Sequence, residues 1–215
     1  MLNRTQIATM LTLQDQMNSK VDPSWIQTRN PFLRAAGVEA VEALEHIGWK
    51  WWKKQDKDLP QAQMELVDIW HFVLSDYILK YGSSDAAADA IAGETVKASF
   101  TFDGFEYVIE ELDLLTKLEL LGALSAVRRF EYSLFDSLLI DCEMGWGELY
   151  RQYVGKNVLN MFRQDHGYKS GEYIKIWDGR EDNEHLSDIL IALSPDDSSP
   201  ADTIYNQLTV RYPAI

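Results

Sequence analysis

The most continuous run of apolar residues in the chain lies between Met64 and Leu74. This run lacks the alternation of a strand and contains neither glycine nor proline, so it predicts a helix. Apolar side chains surround the helix almost completely, and a helix that is apolar on all sides is buried. We therefore expect a central buried helix from about Gln61 to Tyr81, ended by Gly82.

The rest of the chain is also mostly helical in its pattern, with weak strand signals. The further helices are predicted at about Thr5–Ser19, Leu33–Ile47, Ala86–Ala98, Phe105–Glu131, Phe130–Met144 and Gly145–Phe162. Val96–Phe102 alternates, but Asp103-Gly104 interrupts it, and we interpret this stretch as a loop arm. After Phe162 the sequence has little periodicity, which indicates a mobile segment, and residues 196–200 are typical of a surface loop. The predicted fold class is all-α, a helical bundle.

Charge and composition narrow the classes of function. The formal net charge of -14 argues against a nucleic-acid-binding surface, because such a surface requires a basic patch. The single cysteine, Cys142, excludes an internal disulfide and fits a reducing compartment. We find no apolar signal sequence and no run approaching the roughly 20 apolar residues of a membrane span. We expect a soluble cytoplasmic protein without nucleic-acid or membrane partners.

Two carboxylates, Glu65 and Asp68, lie one turn apart on the predicted buried helix. Burying each without a partner would cost roughly several kcal/mol or force it to take up a proton, so a positive group must meet them. The preceding helix carries a second pair, Glu39 and Glu42, on a face with small residues and one histidine: Ala35, Ala36, Ala43 and His46. Mg²⁺ prefers oxygen ligands, and four carboxylates on two facing helices could hold two or three such ions.

Other interpretations of these acids remain open at this point. Glu39 and Glu42 alone also fit an ordinary solvated helix in an acidic protein. Asp68-x-x-His71 is similar to the carboxylate-x-x-histidine element of di-iron bundles, but such bundles require it on two helices and only one copy is present. A helical interaction protein with an acidic partner-binding face is a non-enzymatic alternative, although it leaves the acids on the apolar helix unexplained.

Several motifs occur together in the chain. They are Gln14-Asp15-x-x-Asn18, Glu39-x-x-Glu42, the block from Gly48 to Lys53 (Gly-Trp-Lys-Trp-Trp-Lys), Glu65-x-x-Asp68-Ile69-Trp70-His71-Phe72, the stretch from Lys156 to Lys169, and Glu181-Asp182-Asn183. Together they resemble the dimeric all-α dUTPases, a branch of the all-α NTP pyrophosphatase superfamily. The carboxylate pairs are shared across the superfamily, whereas the tryptophan-lysine block is more particular to this branch.

This resemblance implies roles for the acidic and basic residues. Glu39, Glu42, Glu65 and Asp68 would bind two or three Mg²⁺ ions, with Mn²⁺ as a substitute. Either Glu39 or Glu42 would accept the proton of the attacking water. The phosphate chain would be held by a group of mostly basic residues, Lys53, Lys156, Arg163, Tyr168 and Lys169, and Asn183 would also bind the substrate.

The resemblance also implies how the nucleoside is recognised. Amide side chains offer both donors and acceptors, and Gln14, Asn18 and Asn160 would read the uracil. Phe72 would pack on the base, His71 would lie near the sugar, and Trp51 would crowd the 2′ carbon and exclude a ribose. Core packing is the plain alternative for the tryptophans, and we expect one or two of Trp49, Trp51 and Trp52 in the core.

The implied activity is a Mg²⁺-dependent conversion of dUTP and water to dUMP and pyrophosphate, with dUDP as a second substrate. It would limit uracil incorporation into DNA, and the implied assembly is a homodimer.

We expect a single domain of residues 1–215, with a rigid core at about 1–150, a mobile phosphate-binding segment at about 151–185 that closes over the substrate, and a tail at about 186–215. A dCTP or broader dNTP pyrophosphatase is the nearest alternative, because an asparagine rotated by half a turn pairs with either pyrimidine.

Overall fold

The computed structural model describes residues 2–193 and 200–213. The helices are α1 (Arg4–Val21), α2 (Trp25–Thr28), α3 (Phe32–Ile47), α4 (Leu59–Tyr81), α5 (Ser84–Ala92), α6 (Leu114–Ala126), α7 (Tyr132–Asp141), α8 (Trp146–Asp165), α9 (Asp182–Ala192) and α10 (Pro200–Arg211). The strands are β1 (Ser99–Phe102), β2 (Phe105–Val108), β3 (Ile176–Trp177) and β4 (Arg180–Glu181). The prediction of an all-α fold is confirmed. None of the helices in the described ranges combines the length and apolar character needed to cross a membrane.

The centre of the protein is α4, as its apolar pattern predicts. Its side chains at Leu66, Val67, Ile69 and Trp70 are fully buried. Helix α3 packs against α4 and α6, and α1 packs against α4, α5 and α8. Each large apolar side chain buried in this way stabilises the fold by roughly 1.5–3 kcal/mol. The central helix is therefore held from several sides, which fixes the positions of its polar residues.

The ends of α3 and α4 follow directly from their sequence. Gly48 and Gly82 both have φ of 84°, a left-handed conformation that favours glycine and ends a helix. Asp58 begins α4 because its side chain accepts a hydrogen bond from the backbone N–H of Gln61. The Asp58 backbone N–H also donates to the His46 carbonyl at 2.8 Å. These contacts place the last turn of α3 beside the first turns of α4.

A β-hairpin replaces the predicted loop arm and the start of the helix predicted from Phe105. Strands β1 and β2 are antiparallel, with Ser99 opposite Val108 and Phe102 opposite Phe105. Asp103 and Gly104 both have positive φ, 50° and 80°, as a tight two-residue hairpin turn requires. The loop-arm interpretation of the alternating stretch was therefore wrong, and so was a helix from Phe105, because an Asp-Gly pair between apolar stretches is itself a hairpin signal. The helical part of that region is α6, and α5 ends at Ala92.

The sequence after α8 contains more regular structure than its periodicity indicates. Strands β3 and β4 form a second small hairpin, and α9 and α10 pack against α8. They enclose a separate apolar cluster of Val158, Leu159, Phe162, Trp177, Leu186, Ile189, Leu190, Ile204 and Leu208. Of the predicted surface loop at 196–200, residues 196–199 lie outside the described residues and Pro200 begins α10. The mobility of residues 151–185 stays a prediction.

Candidate functional site

Three carboxylates meet between α3 and α4. Glu39, Glu42 and Glu65 each place one carboxylate oxygen within 4.8 Å of the others. Glu39 and Glu42 are one turn apart, so they project from one side of α3 toward the helix that carries Glu65. Glu65 is only 9% exposed, whereas Glu42 is exposed to solvent. The carboxylate cluster therefore extends from the buried helix interface to the surface.

Burial and mutual repulsion raise the pKa of two of these carboxyl groups. For Glu39, burial is the largest cause, and the negative charges of Asp68 and Glu65 raise the pKa further. Burial also raises the pKa of Glu65, and the Asp68 charge is the next cause. A divalent cation bound to these oxygens would favour the ionised forms, and a close set of carboxylate oxygens is the ligand type that Mg²⁺ takes. The residues present therefore fit a divalent cation.

Asp68 lies beside the carboxylate cluster and forms an ion pair with Lys156. The Asp68 Oδ2 atom is 3.0 Å from the Lys156 Nζ atom, and the lysine side chain is almost completely buried. The same Nζ atom donates to the Asn183 side-chain oxygen at 3.3 Å. Of the four predicted metal ligands, the structure thus brings three together and pairs the fourth with a predicted phosphate-binding residue.

His46 also contacts the carboxylate cluster. Its Nε2 atom lies 3.4 Å from Glu65 Oε1, and its side chain is about one-third exposed. The histidine occupies the last turn of α3, on the face that carries Glu39 and Glu42. It is therefore placed to orient the Glu65 carboxylate, as outer hydrogen-bond partners of metal ligands commonly do.

A pocket of about 240 Å³ opens next to Asp68. Its lining residues come from α1, α4, α8, the segment between α1 and α3, and the first residue of α3: Gln14, Met17, Asn18, Val21, Asp22, Trp25, Asn30, Phe32, Asp68, His71, Phe72 and Asn160. This set contains every residue that the sequence assigns to uracil or to the sugar except Trp51. A mostly apolar pocket with a few converging amides is typical of a small-molecule site.

The polar groups in the pocket wall are connected by hydrogen bonds. The His71 Nδ1 atom is 2.8 Å from Gln14 Oε1, and Gln14 Nε2 donates to Asn18 Oδ1 at 3.0 Å. Burial lowers the pKa of His71 to about 4, so its ring is neutral near pH 7. The Tyr153 ring stacks on the His71 ring with their centroids 4.1 Å apart. These side chains are consequently held by one another, and the pocket wall is uncharged at His71.

Arg163 lies next to the pocket residue Asn160 and is held there by a buried acid. Its Nε and Nη2 atoms donate to the two carboxylate oxygens of Asp182 at 2.8 and 2.9 Å. Arg163 also donates to the side-chain oxygens of Asn160 at 3.0 Å and Asn183 at 3.4 Å. The predicted substrate-binding residues Lys156, Asn160, Arg163 and Asn183 therefore form one connected group, and Asp182 balances the charge of Arg163.

Two further predicted phosphate ligands lie near the end of α8. The Arg163 guanidinium lies over the face of the Tyr168 ring, and the distance between the guanidinium carbon and the ring centroid is 5.8 Å. The Lys169 Nζ atom donates to the Val21 carbonyl at 2.7 Å. Because Val21 also lines the pocket, Lys169 is located at the pocket rim.

The structure does not bring Trp51 and Lys53 to the pocket. Both are exposed on the loop between α3 and α4, with Trp51 87% exposed. The expectation that one or two of the tryptophans are in the core was wrong. Trp52 is 59% exposed, and the half-buried Trp49 donates to Glu45 on the surface. The reason is that α3 ends at Gly48, so the chain leaves the core before the tryptophans and they pack on one another.

Four polar residues near the site were not assigned by sequence reasoning. His46 and Ser75 have a local signal, since each lies about one turn from a predicted site residue on the same helix face. Asp182 lies inside the motif Glu181-Asp182-Asn183, in which the resemblance gives a role to Asn183 alone. Tyr153 has no such signal, because its hydroxyl reaches Gln14 at 2.9 Å across 139 residues of sequence.

The fold and the site define a class of protein: an all-α protein whose carboxylate cluster fits a divalent cation beside a pocket for a small organic molecule. The family model described as dUTPase matches residues 6–168. The chain belongs to this family, the all-α dUTPases. The comparison with curated proteins returned no match.

The family assignment establishes the type of activity. The chain is an enzyme of the dUTP diphosphatase type, and the family depends on a divalent metal. A nucleotide is therefore its class of substrate. This result excludes the non-enzymatic alternative of a helical interaction protein. The matched range includes the carboxylate cluster and the pocket, whereas Lys169 and Asn183 lie beyond it.

Proposed function

We propose that the protein is a Mg²⁺-dependent dUTP pyrophosphatase that converts dUTP and water to dUMP and pyrophosphate. We include dUDP as a second substrate and the limitation of uracil incorporation into DNA as the physiological role. The proposal rests on the position of Asp68 in this protein, together with its membership of the family. Asp68 lies beside the carboxylate cluster and also lines the amide-containing pocket.

The proposed metal ligands are Glu39, Glu42, Glu65 and Asp68. Bound divalent ions, two or three Mg²⁺ or the substitute Mn²⁺, would neutralise charge on the phosphate oxygens and make water more acidic. Glu39 or Glu42 would accept the proton of the attacking water. Glu42 is exposed and Glu39 is half-buried, so Glu42 is the more accessible of the two. His46 would keep the Glu65 carboxylate in position.

The proposed phosphate-binding residues are Lys156, Arg163, Tyr168 and Lys169, with Asn183 between the first two. Lys156 is paired with the partly buried Asp68 and Arg163 with the fully buried Asp182, which favours both cations being in position before substrate binds. Arginine and lysine side chains placed in this way can donate hydrogen bonds to phosphate oxygens. Lys53 would join them only if its exposed loop moves toward the site.

The pocket would hold the deoxyuridine. Gln14, Asn18 and Asn160 offer amide groups to the base, Phe72 offers an aromatic surface, and His71 is the neutral group beside the sugar. Trp51 would exclude a ribose only after movement of the loop that carries it.

The remaining proposals concern assembly and location. We propose a homodimer without nucleic-acid partners, located in the cytoplasm and folded as one domain of residues 1–215. An apolar groove between α3 and α6 supports a protein partner, since it is lined by the exposed residues Val38 and Val41. The acidic net charge of -14 supports the absence of nucleic acid.

A substrate panel tests the proposed function. Release of nucleoside monophosphate would be measured from dUTP, dUDP, dCTP, dTTP and UTP, each with Mg²⁺, with Mn²⁺ and with a chelator. We expect turnover of dUTP and dUDP that requires the metal. Equal turnover of dCTP would favour a broader dNTP pyrophosphatase, and metal-independent turnover would contradict the proposed centre.

A further inference from the structure

Four hydrogen bonds in the pocket wall form a closed circuit that begins and ends at His71. Its ring Nδ1 atom lies 2.8 Å from Gln14 Oε1, and Gln14 Nε2 donates to Asn18 Oδ1 at 3.0 Å. Asn18 Nδ2 donates to Ser75 Oγ at 2.9 Å. The Ser75 hydroxyl donates to the His71 backbone carbonyl at 3.0 Å. Every bond in this circuit runs in the same direction.

The direction is fixed at the Ser75 end. A backbone carbonyl only accepts hydrogen bonds, so the single hydroxyl proton of Ser75 points to His71 and the Ser75 oxygen accepts from Asn18. Ser75 is fully buried, which leaves it no water to compensate for a lost bond. The nitrogen of the Asn18 amide is therefore kept on the Ser75 side and its oxygen on the Gln14 side.

The direction is also fixed at the other end. If the circuit reversed, Gln14 would turn its nitrogen toward His71, and the histidine proton would move to Nε2. That Nε2 atom is buried and has no hydrogen-bond partner among the described residues, so the reversed circuit would bury an unpaired N–H group. The Tyr153 hydroxyl lies 2.9 Å from Gln14 Oε1 and 3.0 Å from the Met10 carbonyl oxygen, and its single proton serves only one of them, so it does not select a direction.

A fixed amide distinguishes uracil from cytosine. Uracil presents a donor at N3 beside an acceptor at O4, whereas cytosine presents an acceptor at N3 beside a donor at N4. An asparagine that rotates freely pairs with either base. An asparagine that cannot rotate pairs with uracil. Against cytosine it places a donor next to a donor and an acceptor next to an acceptor.

We propose that Ser75 is a positioning residue that selects uracil over cytosine by fixing the orientation of the Asn18 amide, together with His71 and Gln14. This inference deepens the proposed function and rests on it, since it assumes that Asn18 reads the base. It also makes Ser75 a specificity-determining residue although it does not line the pocket.

The test compares Ser75→Ala with the wild-type protein on dUTP and dCTP. We expect the preference for dUTP, expressed as the ratio of the two kcat/KM values, to fall by about tenfold, because one orienting hydrogen bond is lost. The fall arises mainly from improved use of dCTP, which a general structural defect does not produce. Calorimetric binding of dUMP and dCMP gives the same comparison without turnover.

Two variants control the experiment. Ser125→Ala removes another fully buried hydroxyl, located on α6 away from the pocket, and we expect it to leave the ratio unchanged. Ser75→Cys keeps a side chain of similar size with a weak acceptor, so we expect an intermediate ratio even where the alanine variant folds poorly. An unchanged ratio in both Ser75 variants overturns the inference. Absence of dUTP turnover in the wild-type protein instead overturns the proposed function.

Discussion

At the scale of single residues, Glu65→Gln separates the cost of the buried charge from its function. The substitution removes one negative charge from the carboxylate cluster and keeps the shape of the side chain. Without a divalent cation it relieves repulsion with Glu39, so we expect the thermal midpoint to stay the same or rise. With Mg²⁺ we expect kcat on dUTP to fall by roughly a hundredfold or more, because a proposed metal ligand is lost.

The measurements are steady-state kinetics and thermal unfolding with and without Mg²⁺. Glu45→Gln is the matched control, since Glu45 lies on α3 outside the carboxylate cluster, is exposed, and accepts hydrogen bonds from Trp49 and Lys50. We expect this control to retain wild-type kcat. Near-normal turnover by Glu65→Gln would show that the metal centre is assigned to the wrong residues.

The raised pKa values of Glu39 and Glu65 predict how stability depends on pH without metal. A carboxyl whose pKa is higher in the folded state favours folding while it is protonated and disfavours folding when it ionises. The metal-free protein should therefore lose stability as the pH rises from about 4.5, the ordinary glutamate pKa, through neutral pH. Mg²⁺ should reduce this loss because it binds the ionised forms.

Thermal midpoints measured from pH 5 to 8, with a chelator and with Mg²⁺, check this prediction. The double variant Glu39→Gln, Glu65→Gln carries no titratable group at these positions, so its metal-free midpoint should fall less over the same range. A wild-type profile that rises with pH in the chelator, and does so equally in the double variant, would contradict the assigned cause.

At the scale of elements, the Arg163–Asp182 pair joins α8 to the start of α9. Asp182 is fully buried and accepts from Arg163 twice and from the Tyr173 hydroxyl at 2.8 Å. Asp182→Asn leaves the buried guanidinium without its counter-ion, and breaking such a pair costs about 3–5 kcal/mol. We expect a loss of this size in the free energy of unfolding measured with denaturant, and weaker binding of dUTP.

Asp188→Asn provides the comparison on the same helix. Asp188 pairs with Arg180 at 2.8 Å, but both side chains are more than 40% exposed, and exposed pairs contribute roughly 0–1 kcal/mol. We expect this variant to be nearly as stable as the wild-type protein. Equal effects of the two substitutions would show that burial is not what makes the Asp182 pair important.

The sequence predicts elements well where its signals are local. Helices α3 and α4 match their predicted limits because glycine ends both, and an apolar circumference identifies α4 as the centre. The β1–β2 hairpin is not predicted because the helical spacing farther along the chain is extended back to Phe105, and Asp103-Gly104 is interpreted as an interruption and not as a hairpin turn. The second apolar cluster around α9 and α10 was missed because its helices are short and weakly periodic, so packing determines them more than pattern does.

The site shows the same division between local and distant contacts. The spacing of one turn predicts that Glu39 and Glu42 share one face of their helix, and that Glu65 and Asp68 do so on theirs. The partners of Lys156 and Arg163 are acids 88 and 19 residues away, Asp68 and Asp182, and no spacing rule connects them. The sequence does not predict the exposure of Trp51 and Trp52 either, because that exposure depends on where α3 ends relative to the core.

At the scale of the whole molecule, the sequence after α8 is tied to α1 at the pocket rim. Lys20 forms an ion pair with Asp165, and Asp165 also accepts from the Tyr205 hydroxyl of α10 at 2.9 Å. Lys169 donates to the Val21 carbonyl. These are exposed or partly exposed contacts, which contribute little to stability and can exchange with a ligand. They connect the predicted phosphate-binding segment to the wall of the base pocket.

This arrangement predicts that nucleotide and metal together order the segment. We expect amide hydrogen exchange in residues 151–185 to slow when Mg²⁺ and a non-hydrolysable dUTP analogue are both present, mainly in 166–181, the part between α8 and α9. The central helix α4 should exchange slowly throughout and serves as the internal reference. The analogue with a chelator should give little protection, because by the proposed function the segment would bind phosphates that the metal holds. Exchange in 166–181 that is already as slow as in α4 without ligand would show that the segment is not mobile and that substrate enters a site already closed.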